Sequence, residues 1–295
     1  MATNVERDEA TGTETTGHEW DGIKELNTPL PKWWLYVFYA CIVWSIAYWI
    51  AMPAWPTGGS GTDDYTKGVL GYSQRNVVAE QLTEARTKQA QYIEAIAAAD
   101  LEQIAADDEM LRFSLAGGAA AFGDNCAGCH GSGAQGFKGY PNLNDDAWIW
   151  GGTLEDIHTT LLYGIRWDEF DDTRFNMMPA YGTDGILTPE EIDLVADYVL
   201  SLSGQAELSD AQFEQAAEIY AIQCAACHGD EGEGVTELGA PNLRDSIWLY
   251  GGDKADVVDT ITHSRAGVMP GWVDRLDPVT IKQLAVYVHS LGGGQ

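Results

Sequence analysis

One pattern occurs twice in this chain and constrains its fold more than any other feature. Cys126-Ala127-Gly128-Cys129-His130-Gly131 returns as Cys224-Ala225-Ala226-Cys227-His228-Gly229. Pro141-Asn142-Leu143, Trp148 and Gly151-Gly152 return as Pro241-Asn242-Leu243, Trp248 and Gly251-Gly252, and Met178-Pro179 returns as Met269-Pro270. The same motifs returning in the same order mark two copies of a single small domain. Each copy closes on a helix with a readable start: Thr188-Pro189-Glu190-Glu191 opens one running through Tyr198 to about Gly204, and Asp277-Pro278 opens the other through Tyr287 to Gly292.

The repeated motif carries specific chemistry. Cysteines at i and i+3 lie on one helical face, where both thiols can form thioethers with porphyrin vinyl groups, and the adjacent histidine then reaches the iron. Two C-x-x-C-H runs, at Cys126, Cys129, His130 and at Cys224, Cys227, His228, therefore predict two covalently bound haem c groups. A redox dithiol or half of a zinc site explains a lone C-x-x-C but not two copies each followed by His. The sixth iron position falls to Met178 and Met269, since a thioether fills that site and closes it to oxygen or peroxide. Met177 has no counterpart in the second copy and reads as packing or loop. His158 aligns with Val258 and His263 with Tyr163, so neither is repeated; His18 and His289 read as surface residues. Arg166 and Arg265 fall at matching places before the Met loops, where a guanidinium can neutralise a propionate or simply be solvated. Trp148 and Trp248 suit either core packing or an indole hydrogen bond to a propionate. Each copy is small for an unaided core, and a covalent haem would supply the missing apolar centre.

Ahead of the repeat, residues 33–55 carry no charge and, at about 1.5 Å per residue, extend about 34 Å, enough to cross a bilayer core. Trp33, Trp34 and Tyr36 at one end and Tyr48, Trp49 and Trp55 at the other resemble an aromatic belt. Cys41 inside this run reads as a small buried hydrophobe. A cleaved leader is disfavoured by the long polar stretch before the run. Lys24 and Lys32 against Asp63 and Asp64 favour a cytoplasmic N-terminus, although Lys67 and Arg75 blunt that signal. A glycine hinge at Gly58, Gly59 and Gly61 follows. Residues 72–116 then lack Gly and Pro and read as helix, with Val78, Leu82, Ala85, Tyr92, Ile93 and Ile96 as its apolar stripe.

The predicted fold is all-α: one N-terminal transmembrane helix followed by two tandem cytochrome c-like haem domains. Its parts are a cytoplasmic segment 1–32, the membrane helix 33–55, a hinge and spacer helix 56–109, a first domain 110–204 and a second domain 205–295. Asp and Glu number 45 against 16 Lys and Arg, a formal charge of −29, which excludes nucleic acid as a partner. A catalytic role of its own, such as a dihaem peroxidase, needs an open iron and is set against the two Met positions.

Trp20-Asp21-Gly22-Ile23-Lys24-Glu25-Leu26-Asn27-Thr28-Pro29-Leu30-Pro31-Lys32-Trp33-Trp34, leading into a single span and two haem units, resembles the N-terminal signature of the membrane-anchored dihaem cytochrome c subunit of cbb3-type cytochrome c oxidases. The resemblance covers nearly all the chain from Trp20. It implies haem domains in the periplasm of a bacterial inner membrane, with the haem-copper catalytic subunit and a monohaem cytochrome c subunit as partners. It further implies a soluble or membrane-bound cytochrome c as electron donor, and it matches Cys126, Cys129, His130, Cys224, Cys227, His228, Met178 and Met269 to the family's haem positions. It leaves open which iron each Met serves. A free-standing membrane-tethered electron shuttle is the alternative.

Overall fold

The computed structural model describes residues 5–58 and 65–292, which divide into two compact units, one ending at Arg86 and the other beginning at Thr87. Of the expected glycine hinge, Gly59 and Gly61 lie outside the described residues, as do Asp63 and Asp64.

The first unit opens with a hairpin, a departure from the expected all-α chain. Strands β1 (Thr15–Trp20) and β2 (Ile23–Leu26) pair antiparallel, with Trp20 opposite Ile23. Asp21 and Gly22 form the turn at φ of 48° and 83°, the two left-handed positions that a tight hairpin demands. Helix α1 (Lys32–Ala51) follows, long and apolar enough to cross a membrane, with none of its residues buried. It ends short of Trp55 because Met52, which precedes Pro53, is extended at φ −116° and ψ 159°. The chain beyond turns back, and the N–H groups of Val69 and Leu70 donate to the carbonyls of Ile50 and Ala51 at 2.9 and 3.2 Å. Two carbonyls left over at the helix end are thereby satisfied.

The stretch expected as one helix over 72–116 is three: α2 (Gln74–Ala98), α3 (Leu101–Ala106) and the start of α4 (Asp108–Asn125). Both breaks are aspartate caps. The Asp100 carboxylate accepts from Gln103 N at 2.7 Å, and that of Asp107 from Glu109 N and Met110 N at 3.0 and 2.9 Å. Of the predicted apolar stripe, Ile96 is fully buried and Tyr92 stacks on Phe113, whereas Val78 and Leu82 are exposed.

The second unit contains both copies of the repeat. Its remaining helices are α5 (Ala127–His130), α6 (Leu154–Tyr163), α7 (Pro189–Leu202), α8 (Asp210–Gln223), α9 (Ala225–His228), α10 (Lys254–His263) and α11 (Pro278–His289). Both closing helices start where the sequence says: Thr188 and Glu191 form a capping box, and Asp277 accepts from Val279 N and Thr280 N, each at 3.1 Å.

The closing helices exchange partners. Helix α11 packs on α4 and α6, in a core that joins Leu284 and Val288 to Phe122, Ile157 and Leu161. Helix α7 packs on α8 and α10, in a separate core that joins Val195 and Val199 to Tyr220, Val257 and Ile261. One half of the unit is thus the run from the end of α6 through α10. The other half is assembled from the chain on either side of that run.

The Met loops cross over in the same sense. Trp272 N donates to Leu161 O at 2.9 Å, and its counterpart Tyr181 N donates to Ile261 O at 3.1 Å. Aromatic contacts repeat the exchange, with Tyr287 against Phe122 in one half and Tyr198 against Tyr220 in the other. Side-chain volume accounts for the choice. A Cβ on Gly118 of α4 would come within 2.5 Å of Tyr287 Cβ and closer still to the Gln283 carbonyl. The matching position on α8 is Ala216, so α11 could not sit there at the same separation.

Candidate functional site

Each C-x-x-C-H motif begins at the C-terminal end of a packed helix, which fixes where its side chains project. Cys126 ends α4 by donating its N–H to Phe122 O at 2.8 Å, and Cys224 ends α8 through Tyr220 O at 2.8 Å. The short helices α5 and α9 follow, with His130 N and His228 N closing onto Cys126 O and Cys224 O at 2.9 and 3.0 Å. All four thiols are free; Cys126 is buried, Cys224 half-buried, and Cys129 and Cys227 exposed. Burial, with the neighbouring cysteine adding to it, pushes the thiols of Cys126 and Cys224 up to about 11.

Both histidines are oriented from behind. His130 Nδ1 lies 3.1 Å from Pro141 O, and His228 Nδ1 lies 3.0 Å from Pro241 O. A hydrogen bond donated from Nδ1 leaves Nε2 as the free, basic nitrogen, the arrangement that fixes a histidine for metal ligation. Burial lowers the pKa of both imidazoles, outweighing the opposing pull of the proline carbonyls, so both are neutral and ligand-competent at neutral pH. The repeated Pro-Asn-Leu was legible in the sequence, but its part in holding the imidazoles was not.

Both motifs, both histidines, Met178 and Met269 line one continuous cleft of about 2250 Å³. Met269 packs against the core that contains Cys126, and Met178 against the core that Cys224 joins. Each methionine is therefore brought to the motif of the other repeat. His158 and His263 do not line this cleft; His263 is exposed and paired with Asp259 at 3.0 Å. Met177 is exposed at the cleft's edge.

The walls fit an anionic planar group. Trp148 and Trp248 line the cleft with buried indole N–H groups that have no hydrogen-bond partner, as does Trp272. An orphaned buried donor is rare in a native structure and points to a missing acceptor. The repeated Gly-Gly explains how the indoles fit, since a Cβ on Gly152 or Gly252 would come 2.6 or 2.5 Å from the Cδ1 of Trp148 or Trp248. Nitrogen and thioether donors, paired thiols, apolar walls and unpaired indole N–H groups together suit haem c, with carboxylates as the acceptors.

The arginine correspondence read from sequence is different in three dimensions. Arg265 donates to Asp256 O, packs over Tyr250 at 4.9 Å and pairs with Asp259 at 3.2 Å. Its structural counterpart is Arg174, which donates to Asp156 O and Asp156 Oδ1 at 3.1 Å each and lies over Trp150 at 5.9 Å. Arg166 instead reaches both Met loops, with Nε donating to Gly267 O at 2.6 Å and an Nη to Asn176 O at 3.1 Å. The match of Arg174 to Arg265 is hidden in the sequence by an insertion before Arg174 that the second copy lacks; the repeated Asp156 and Asp256 are the available clue.

Known families match along most of the chain. Residues 12–59 match the N-terminal domain of cytochrome oxidase-cbb3, FixP; residues 115–203 match cytochrome c; residues 211–288 match cytochrome C oxidase, cbb3-type, subunit III. The chain is 54% identical over 303 residues to the cbb3-type cytochrome c oxidase subunit CcoP of Azospirillum sp. (strain B510), covering all of both chains. It is 55% identical over 295 residues to subunit FixP of Bradyrhizobium sp. (strain ORS 278), again over all of both. With subunit CcoP of Cereibacter sphaeroides it shares 48% over 281 residues, 95% of each chain.

Proposed function

The chain belongs to the CcoP/FixP family of cbb3-type cytochrome c oxidase subunits, a cytochrome c component of an oxidoreductase complex, and from that premise we propose that it is the complex's dihaem electron-transfer subunit. Cys126 with Cys129 and Cys224 with Cys227 would each anchor one haem c through thioethers. His130 and Met269 would hold the iron at the first motif, and His228 and Met178 at the second. The bound group supplies one-electron exchange at iron without bond rearrangement. The protein's part is to keep that exchange simple. The Pro141 and Pro241 carbonyls hold each histidine by Nδ1 and leave Nε2 free, and with haem bound the two methionines would hold the iron and keep oxygen or peroxide from it. The indoles of Trp148 and Trp248 offer N–H donors to propionates within the cleft.

The observation that carries this reading is the single cleft lined by both motifs and both methionines. It brings two redox sites into one continuous space. The partners are then a cytochrome c donor on one side and the monohaem and haem-copper subunits on the other. Residues 56–295 lie in the periplasm of the inner membrane, where thioether attachment is completed, and α1 is the single span.

Met178→His and Met269→His test the ligand assignment. Each is expected to retain haem and lower one midpoint potential, because imidazole stabilises ferric iron better than a thioether does. Silent methionine variants, with loss of low-spin character on His158→Ala or His263→Ala, would refute it. A haem and metal inventory of the complex purified in mild detergent tests the partners, and a periplasm-dependent reporter fused after Gln295 tests the topology.

A further inference from the structure

We propose that Arg166 is a positioning residue that holds both methionine loops at once, so that the sixth-ligand geometry of the two haem sites is set jointly through one guanidinium. The inference rests on the reading of Met178 and Met269 as iron ligands. The Arg166 Nε donates to the carbonyl of Gly267, in the loop that leads to Met269, and one Nη donates to the carbonyl of Asn176, in the loop that leads to Met178. Its planar fork suits two acceptors in fixed directions, which a flexible ammonium does not match.

The backbone around Arg166 ties the same place to Met269 itself. Ile165 N donates to Met269 O at 2.9 Å and Met269 N to Ile165 O at 3.0 Å, while Arg166 N donates to Arg174 O at 2.8 Å. Arg166 holds φ at 51°, a left-handed conformation that disfavours long side chains and persists only where the surroundings impose it. In the second copy, the Ser264 hydroxyl, itself in the loop that leads to Met269, donates to Met178 O.

Charge distinguishes Arg166 from Arg174 and Arg265. Arg174 pairs with Asp156, and Arg265 with Asp256 and Asp259. Among the described residues Arg166 makes no ion pair, although the chain has 45 acidic residues to 16 basic. A guanidinium stays protonated even when half-buried, and Arg166, bonded only to carbonyls, presents that charge to the cleft. That charge disfavours the ferric state at both sites. Arg166 thus acts on the two sites by geometry, through the loops, and by field, through its charge.

The test uses the full-length subunit, haem-loaded, in the detergent-purified oxidase. Two readings are taken: the red-region methionine-to-ferric-iron charge-transfer band, and the midpoint potential of each haem c. Arg166→Gln is expected to weaken the band at both sites and to lower both potentials. Arg166→Lys should recover part of both potentials, because charge returns, yet leave both bands weakened, because the fork does not. Arg112→Gln, at an exposed arginine bonded within its own helix, should alter neither. If glutamine at 166 prevents haem incorporation, the lysine variant decides: both bands weakened supports the coupling, and either band unchanged overturns it. Arg166→Gln with haem bound and only one site, or neither, altered would likewise overturn it. Absence of the methionine band in the unsubstituted protein would instead refute the ligand reading on which this inference stands.

Discussion

Ile165 and Met269 exchange two backbone hydrogen bonds, Ile165 N to Met269 O at 2.9 Å and Met269 N to Ile165 O at 3.0 Å, although the two residues belong to different copies of the repeat. The pairing sets Met269 beside α6 rather than beside α10, the helix that precedes it in the chain. Gly164 makes the approach possible. At φ 74° it is left-handed, and a Cβ there would come 2.7 Å from Gly271 N. Gly164→Ala is therefore expected to loosen the Met269 loop and weaken one methionine–iron band while sparing the other. Equal loss at both sites would show that this contact is not specific to Met269.

Gly118→Ala tests the packing that selects α11 for α4. The added methyl group meets Tyr287 Cβ and the Gln283 carbonyl, and overpacking of this kind costs about 1–3 kcal/mol. Denaturant unfolding followed by absorbance of the haem at the first motif should show that loss. The reverse change, Ala216→Gly on α8, removes a buried methyl group and should destabilise the other half. An unchanged midpoint for Gly118→Ala would mean that α11 has room on α4 and that side-chain volume does not choose its partner.

The start of α11 carries a pH-dependent contribution. Burial would raise the pKa of Asp277, but the Thr280 hydroxyl and the N–H groups of Thr280 and Val279 together outweigh it, and the net shift is downward. A carboxylate with a lowered folded-state pKa stabilises the fold fully above its unfolded pKa and loses that contribution as pH falls through the folded value. Asp277→Ala should cost about 1 kcal/mol at neutral pH, the usual worth of an N-cap. The difference from the unsubstituted protein should shrink below pH about 4. A gap independent of pH would assign the effect to something other than the ionised cap.

Much of this was legible in the sequence for a physical reason. Covalent haem attachment needs two thiols and a histidine at fixed spacing, and helix caps need particular side chains at particular positions, so local chemistry wrote both plainly. The exchange of closing helices was not legible. Pattern shows that α7 and α11 each have an apolar face, but which helix receives it depends on contacts such as Gly118 with Tyr287, far apart in the chain. The Asp21-Gly22 pair is a hairpin turn signal, but its flanks, Thr15–Trp20 and Ile23–Leu26, are short and carry no clear apolar–polar alternation to mark them as strands. The breaks at Asp100 and Asp107 were hidden by a composition in which every residue tolerates a helix, and only the side-chain caps interrupt it.

Removing the orphaned indole donors isolates their role. Trp148→Phe and Trp248→Phe keep most of the apolar volume and lose the N–H. A propionate without that donor presents more unneutralised negative charge to its iron, which favours the ferric state. Each variant should retain haem and show a lowered potential at one site. Unshifted potentials would assign both tryptophans to packing alone.

The net charge of −29 has a kinetic consequence. An acidic surface steers a cationic donor, and exposed charges are screened over about 8 Å at physiological ionic strength. The second-order rate of reduction by a basic cytochrome c should fall steeply across a salt series. A flat or rising profile would mean that the charge serves solubility, as in a protein from a saline habitat, and that docking rests on a local apolar contact.

The central claim is that each methionine serves the iron of the other repeat. It is tested most directly in a chain carrying Cys126→Ser and Cys129→Ser, which retains only the haem at Cys224 and Cys227, with the midpoint potential of that haem as the reading. Adding Met178→His should lower the potential, and adding Met269→His should leave it unchanged. A fall with Met269→His and none with Met178→His would contradict the exchange and return each methionine to its own repeat.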